Sequence, residues 1–418
     1  MECIKLSGGN RLYGAVDIQG SKNAVLPVLA ATILNGGKNV IHNCPDLSDV
    51  RTTVEILKFL GCSVEREGGT ITVDSSHLTN NFIPHELMNK MRSSIIFMGA
   101  IIARQKSAVM SFPGGCELGP RPIDLHIKAL RALGVDVKES HGYIHCNADK
   151  IAPTQIQLDF PSVGATENIM LVSVLSDGVT TIVNAAREPE IVDLQTYLNA
   201  MGAKVSGAGT GVISIRGVKT LTDAEHSVIP DRIVASTFMT AAAITGGTIE
   251  VKKVIPQHFS AVTAVLKECG ATVHTKKNSV IVTGPKRVRS VDIIRTSPYP
   301  GFPTDAQSVI LSLLAVSGGT SIVKETIFEN RFKHAAELLK MGADINVDGK
   351  VAIIRGVPRL TGSKVYACDL RSGAGLVIAG LRAEGETTIF NVEFIDRGYQ
   401  NLHAELKKLG ANIARVEE

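Results

Sequence analysis

The stretch "SFPGGCELGPRPID", residues 111–124, places one thiol, Cys116, among three glycines and three prolines, with Arg121 five residues on. Neither a helix nor a central strand tolerates that composition, so the segment reads as a loop. A free cysteine is most often a small buried hydrophobe. Here the flanking Gly-Gly and Pro-Arg-Pro argue against a packed core position. The charge on Arg121 favours the thiolate and lowers the thiol pKa, provided the group is not desolvated. A hydrolase reading needs a partnering histidine, and His126, the nearest, comes with no paired signature.

A second set of residues is defined by position. Counting back 14 residues from the turn that ends each of six apolar stretches reaches Lys22, Arg92, Gly164, Arg232, Asp305 and Arg371. Four of the six are cations at a helix start, the wrong sign for the helix dipole. Two readings stay open: solvated surface charges with the register off by one, or helix starts converging on an anionic ligand. In the second, Asp305 in "FPTDAQ" is the odd member, and a lone acid among ligand-binding cations is a general-base candidate. "ENRF" adds Arg331, and "DRGY" adds Asp396 and Arg397, on the type of connection that elsewhere holds the cysteine. Each alone reads as a surface charge. Together with the slot cations they point to a substrate bearing phosphate and carboxylate groups.

What positions these residues is an internal repeat. Leu-x-x-apolar-Gly-x-x-Val/Ile occurs six times, as "LKFLGCSV", "LRALGVDV", "LNAMGAKV", "LKECGATV", "LLKMGADI" and "LKKLGANI". The glycines, Gly61, Gly134, Gly202, Gly270, Gly342 and Gly410, are spaced by 73, 68, 68, 72 and 68 residues. Each copy reads as the end of an amphipathic helix, a glycine cap and a strand. Ahead of it come a strand and a helix apolar nearly all round, such as "NAVLPVLAATILNGG" or "SVILSLLAVSGG". Such helices belong inside, with the amphipathic set outside. The repeat is therefore β-α-β-α-β-β, an α/β (α+β) architecture. The sixth copy stops at "ANIARVEE", and "CIKLSGGNRLYGAVDIQG" at the N-terminus has the missing strand pattern. Residues 1–20 should then complete the sixth unit. The expected domains are 21–229, and 1–20 with 230–418, joined by two crossings that suggest a double hinge and a cleft.

The bulk properties narrow the class. The 418 residues suit two or three domains. A net charge of +4 carries no nucleic-acid footprint. No apolar run approaches the ~18 residues of a membrane span, and "MECIKLSGGN" lacks a signal-peptide core. Seven cysteines without a C-x-x-C pair suggest neither disulfides nor zinc, and fit a reducing cytoplasm. "GAGTGVISIRG" (207–217) is a glycine-rich hairpin and not a strand-to-helix phosphate loop. A metal reading of "HGYIH" (141–145) is weak.

The sixfold unit divided three and three resembles the enolpyruvyl transferases, over essentially the whole chain. The carrying motifs are "GSKN" (20–23), "PGGCELGPRPIDLH" (113–126), "NAAREPEIVD" (184–193), "FPTDAQ" (302–307), "ENRF" (329–332), "DLRSGAG" (369–375) and "DRGY" (396–399). The resemblance implies a two-domain inside-out α/β barrel, with helices buried. It implies transfer of the enolpyruvyl group of phosphoenolpyruvate to the 3′-hydroxyl of UDP-N-acetylglucosamine, a cytoplasmic step of peptidoglycan synthesis, with no cofactor or metal. Cys116 would protonate the phosphoenolpyruvate methylene and be open to alkylation by fosfomycin, and Asp305 would take the hydroxyl proton. Lys22, Arg92, Arg121 and Arg397 would hold phosphate and carboxylate, with Arg331 and Arg371 in support. Asn23 would bridge the acceptor sugar and the reacting centre. The nucleotide would lie along Arg121, Pro122, Ile123, Asp124 and Leu125 and along Ser162, Val163 and Gly164, with Ile327 and Asp369 also at the substrate. Ser48 and Phe160, near the nucleotide side, and Ser21 depart from residues usual in relatives. The alternatives are the family member acting on shikimate 3-phosphate, which lacks the cysteine loop, and a non-catalytic repeat or clamp protein.

Overall fold

The computed structural model describes residues 2–112 and 123–418. Cys116, Arg121 and Pro122 lie outside them.

The repeat becomes six four-stranded sheets of one topology. In the third, the edge strand Gln155–Gln157 runs parallel to the central strand Val179–Val183. The central strand pairs antiparallel with Val212–Arg216, which pairs antiparallel with Lys204–Ser206. The helix Val163–Ser173 joins edge to central strand, and Pro189–Ala200 leads on to the hairpin. This crossover is the β-α-β connection that a parallel pair requires.

Local chemistry explains the elements. The helix Arg232–Thr245 is buried at every residue except Arg232, as its apolar circumference demands. The outer helix Ser48–Leu60 instead buries one stripe, Val50, Thr53, Ile56, Leu57 and Leu60 among them. The six repeat glycines all stand past the helix end with φ of +107, +82, +93, +97, +85 and +104°. That left-handed cap is open to glycine at little cost, and the following strand starts from it.

Two compact units result among the described residues: 20–112 with 123–229, and 2–19 with Pro230–Glu418. Each has its own apolar core. In both, glycine lets two inner helices approach closely while a polar side chain bonds across. A Cβ on Gly99 would lie 2.5 Å from the Asn168 carbonyl oxygen, and Gly99 N–H donates to Asn168 Oδ1 at 2.6 Å. In the other unit a Cβ on Gly375 would lie 2.9 Å from the Ser308 carbonyl oxygen, and Ser312 Oγ donates to the Gly375 carbonyl at 2.7 Å.

The N-terminal strands need a correction. Glu2–Ser7 completes the sixth sheet, between Glu386–Phe390 and Asn412–Glu417. Tyr13–Asp17 does not join it. This strand pairs parallel with Thr248–Lys252 in the fourth sheet, and Ala224–Ser227 takes the matching place beside Lys38–His42 in the first. Repeats one and four have exchanged edge strands, because the chain passes from one unit to the other just after each strand, at 19–20 and 229–230.

No helix among the described residues is long and apolar enough to cross a membrane. Nor does any described group of three or more His, Cys, Asp or Glu side chains form a metal-binding cluster.

Candidate active site

The slot residues stand at helix starts, at the first or the second position. Lys22, Arg92 and Arg232 are first residues of their helices, whereas Gly164, Asp305 and Arg371 are second. The charge problem posed by the dipole is met by acids that spacing alone did not flag. Asp231 caps Arg232–Thr245, accepting from the N–H groups of Ile233 and Val234. Asp369 caps Leu370–Gly380 in a capping box with Ser372. Lys22, buried, pairs with buried Asp49 at 2.8 Å.

In the unit of residues 20–112 and 123–229, Asn23 and Arg92 are half-buried, as are Ser162, Val163, Gly164 and Leu125. Ile123 is buried and Asp124 exposed. Ser162 caps its helix by accepting from Ala165 N–H at 3.3 Å. The glycine at 164 has a packing reason: a Cβ there would lie 3.1 Å from Cε1 and 3.3 Å from Nε2 of His126. His126, buried, meets Asn168 through Nδ1 at 2.8 Å. Burial, and then the nearby charge of Arg92, push its imidazole down to about 4, against a pull from Asp124. His126 is thus neutral at pH 7. Ser48 opens Ser48–Leu60, and Phe160 is exposed two residues before Ser162.

The other unit holds Asp305 between two guanidinium groups. Arg331 Nη2 donates to Oδ1 at 3.0 Å and Arg371 Nη2 to Oδ2 at 3.4 Å. Both arginines are 2% exposed or less, whereas the Asp305 side chain keeps 27% of its surface. Arg331 also lies 3.7 Å from Asp369. Burial works against the Asp369 carboxylate, but Arg331, the Ser372 N–H, His334 and the Arg371 N–H outweigh it and hold its pKa below the usual range. Burial pushes the adjacent His334 down to about 4. Arg371 stacks over Tyr399, 5.4 Å from the ring centroid, and Tyr399 shares a 3.0 Å hydrogen bond with Thr237. The surface-charge reading of Arg331 and Arg371 is therefore overturned, since both are buried against acids. Ile327 is half-buried, as is Arg397, the last residue of the short helix Val392–Arg397. Asp396 is held by Arg415 at 2.8 and 2.9 Å.

Four other cysteines contrast with the loop thiol by sequence: burial pushes Cys44, Cys62, Cys146 and Cys269 up to about 12, which leaves them inert thiols.

Among known proteins, the EPSP synthase (3-phosphoshikimate 1-carboxyvinyltransferase) family model matches residues 6–406. The chain belongs to the EPSP synthase, or enolpyruvyl transferase, family. Within the family its sequence is similar to UDP-N-acetylglucosamine 1-carboxyvinyltransferase 2 of Caldanaerobacter subterraneus subsp. tengcongensis, 55% identical across 99% of both chains. UDP-N-acetylglucosamine 1-carboxyvinyltransferase 1 of Symbiobacterium thermophilum is 51% identical over 98% of this chain and 94% of its own. In structure it is similar to the enolpyruvyl transferase NikO from Streptomyces tendae, with a TM-score of 0.89, 26% identity and 99% of each chain covered. EPSP synthase from Acinetobacter baumannii, at 20% identity and a TM-score of 0.76 over all of both chains, shares the fold. The enolpyruvyl transferase fold accounts for the inside-out arrangement of helices.

Proposed function

We propose that this enolpyruvyl transferase moves the enolpyruvyl group of phosphoenolpyruvate to the 3′-hydroxyl of UDP-N-acetylglucosamine and releases phosphate. The observation that carries the reading is the 55% identity, over 99% of the chain, to a protein named for that acceptor. The cysteine-bearing sequence at 113–126 supports it against shikimate 3-phosphate as acceptor.

The chemistry is an addition followed by an elimination. A proton goes to C3 of phosphoenolpyruvate, turning methylene into methyl, while the sugar oxygen bonds to C2 and gives up its proton. Loss of a methyl proton and departure of phosphate then restore the double bond. Cys116 supplies the first proton and Asp305 accepts the hydroxyl proton. Acid–base and positioning contributions of this kind are each worth several kcal/mol. Asp305 suits its role because two buried guanidinium groups fix it while its side chain keeps 27% of its surface. Lys22, Arg92, Arg121 and Arg397 neutralise the phosphate and carboxylate of phosphoenolpyruvate, and Asn23 bridges to the acceptor. The nucleotide lies along Arg121 to Leu125 and Ser162 to Gly164, Arg331 and Arg371 support the cations that hold phosphate and carboxylate, and Ile327 and Asp369 also lie at the substrate. The enzyme acts in the cytoplasm, at the first committed step of peptidoglycan synthesis, and fosfomycin alkylates Cys116.

The test is phosphate release from phosphoenolpyruvate with each acceptor. Release with UDP-N-acetylglucosamine and none with shikimate 3-phosphate is expected, and the reverse pattern would refute the assignment. Incubation with fosfomycin should give a mass adduct on the peptide containing Cys116.

A further inference from the structure

Six equivalent residues follow the central strands of the six sheets: Asn43, Phe112, Asn184, Lys253, Glu325 and Asn391. Four of them turn the chain in the left-handed conformation, with φ of +57° at Asn43, +58° at Asn184, +55° at Lys253 and +58° at Asn391. The three asparagines use their amides alike. Each donates to the main-chain carbonyl just past the parallel edge strand: Val228 at 2.8 Å, Leu158 at 2.9 Å and Ala367 at 3.2 Å. One neutral hydrogen bond is enough to close that corner.

The fifth repeat solves the same corner differently. Glu325 is 1% exposed, and Oε1 accepts from Thr296 Oγ1, the matching edge-strand position, at 2.8 Å. The same oxygen accepts from the N–H groups of Ile327 at 2.7 Å and Phe328 at 3.2 Å. Oε2 accepts from Thr304 Oγ1 at 2.9 Å. Burying a carboxylate is costlier than burying an amide, and three sister repeats show that the corner does not need one. What the carboxylate adds is reach. It ties down Thr304, whose carbonyl also takes Nε and Nη2 of Arg331 at 3.3 Å each and whose next residue is Asp305. It also fixes the main chain at Ile327.

We propose that Glu325 is a positioning residue of the reaction: through Thr304 it places Asp305, and through the Ile327 amide it places the chain against the acceptor. This rests on the enolpyruvyl-transfer reading above. The roles are divided. Arg331 and Arg371 grip the Asp305 carboxylate, while Glu325 grips the backbone that carries it.

Phosphate release by Thr304→Val and Thr304→Ser tests the link. Thr304→Val is isosteric and deletes only the donor to Oε2. It should lower kcat ten-fold or more, with KM for both substrates within three-fold and the thermal midpoint within a few degrees of wild type. Thr304→Ser restores the donor and should recover kcat to within two-fold. Wild-type kcat in Thr304→Val, or an equal loss in Thr304→Ser, would overturn the proposal. Glu325→Ala should go further, lowering kcat and raising KM for UDP-N-acetylglucosamine together. If that variant does not fold, the threonine pair still decides. Failure of the wild type to release phosphate with UDP-N-acetylglucosamine would instead refute the reaction itself.

Discussion

The two units treat charge at their helix starts differently. In the unit of residues 2–19 and 230–418, buried arginines are turned on acids: Arg331 on Asp305 and Asp369, Arg371 on Asp305. The product of that network is a half-buried carboxylate held in one place. In the unit of residues 20–112 and 123–229, the helix starts carry Lys22 and Arg92, and what stands behind them is Asp49 and a histidine kept neutral. A neutral imidazole beside Arg92 adds no second positive charge there. On the proposed reading one unit holds the base and the other an anion, although both are built on the same repeat.

The largest expected effect comes from removing the proposed acid and base themselves. Asp305→Asn and Cys116→Ser should each lower kcat by about 10³-fold or more, near the upper range for acid–base groups. Phosphate release under saturating substrates is the measurement, and full activity in either variant would break the assignment. Cys116→Asp, in contrast, should keep activity and lose the fosfomycin adduct, because a carboxylic acid donates a proton but is not a soft nucleophile.

Next in size is the closed network. Arg331→Met would leave Asp369, with a side chain 12% exposed, without its guanidinium partner. Removing one member of a buried pair costs about 3 kcal/mol or more, read as a drop in the urea midpoint. Lys90→Met, which breaks an exposed pair with Glu55, should cost less than about 1 kcal/mol. Equal costs would show that the Arg331 network is no more closed than the surface.

The repeat, the inner helices and the glycine caps were legible because each is written six times, and a period survives noise at single positions. The set of slot residues was legible for the same reason, to within one position. What the sequence hid were partners with no fixed spacing. Asp49 meets Lys22 across 27 residues, His126 meets Asn168 across 42, and Glu325 reaches Thr304 across 21. Asp231 and Asp369 were visible as Asp-Arg and Asp-Leu-Arg at helix starts, a capping signal that could have explained the misplaced cations. The strand exchange between repeats one and four left no trace, since Tyr13–Asp17 and Ala224–Ser227 suit either sheet. Nothing local distinguishes them.

A pH titration of stability probes the neutral histidines. His126 and His334 are each held at about 4, against the ordinary 6.5. A histidine whose folded-state pKa is depressed binds fewer protons folded than unfolded. Its contribution is intact above pH 6.5 and is lost as pH falls toward 4. Between pH 7 and 5 each should cost on the order of 2 kcal/mol. His126→Asn should flatten that slope for its own unit and leave the His334 share in place. A variant as acid-sensitive as wild type would mean that His126 is already protonated and carries no share of the slope.

The smallest effect tests the seam between His126 and the helix start above it. Alanine at 164 gains roughly 0.5–1 kcal/mol of helix propensity at an interior site, and less in a first turn. Against that, its Cβ would stand 3.1 Å from Cε1 of His126, on a ring pinned by Asn168. Overpacking of this kind costs about 1–3 kcal/mol, so Gly164→Ala should be net destabilising by about 1 kcal/mol. In a His126→Ala background the clash is gone and only propensity remains, so the same substitution should turn neutral or slightly stabilising. The double-mutant cycle isolates that change of sign. If Gly164→Ala costs the same in both backgrounds, the glycine is kept for close approach of the nucleotide instead. A rise in KM for UDP-N-acetylglucosamine in both backgrounds would then be the signature.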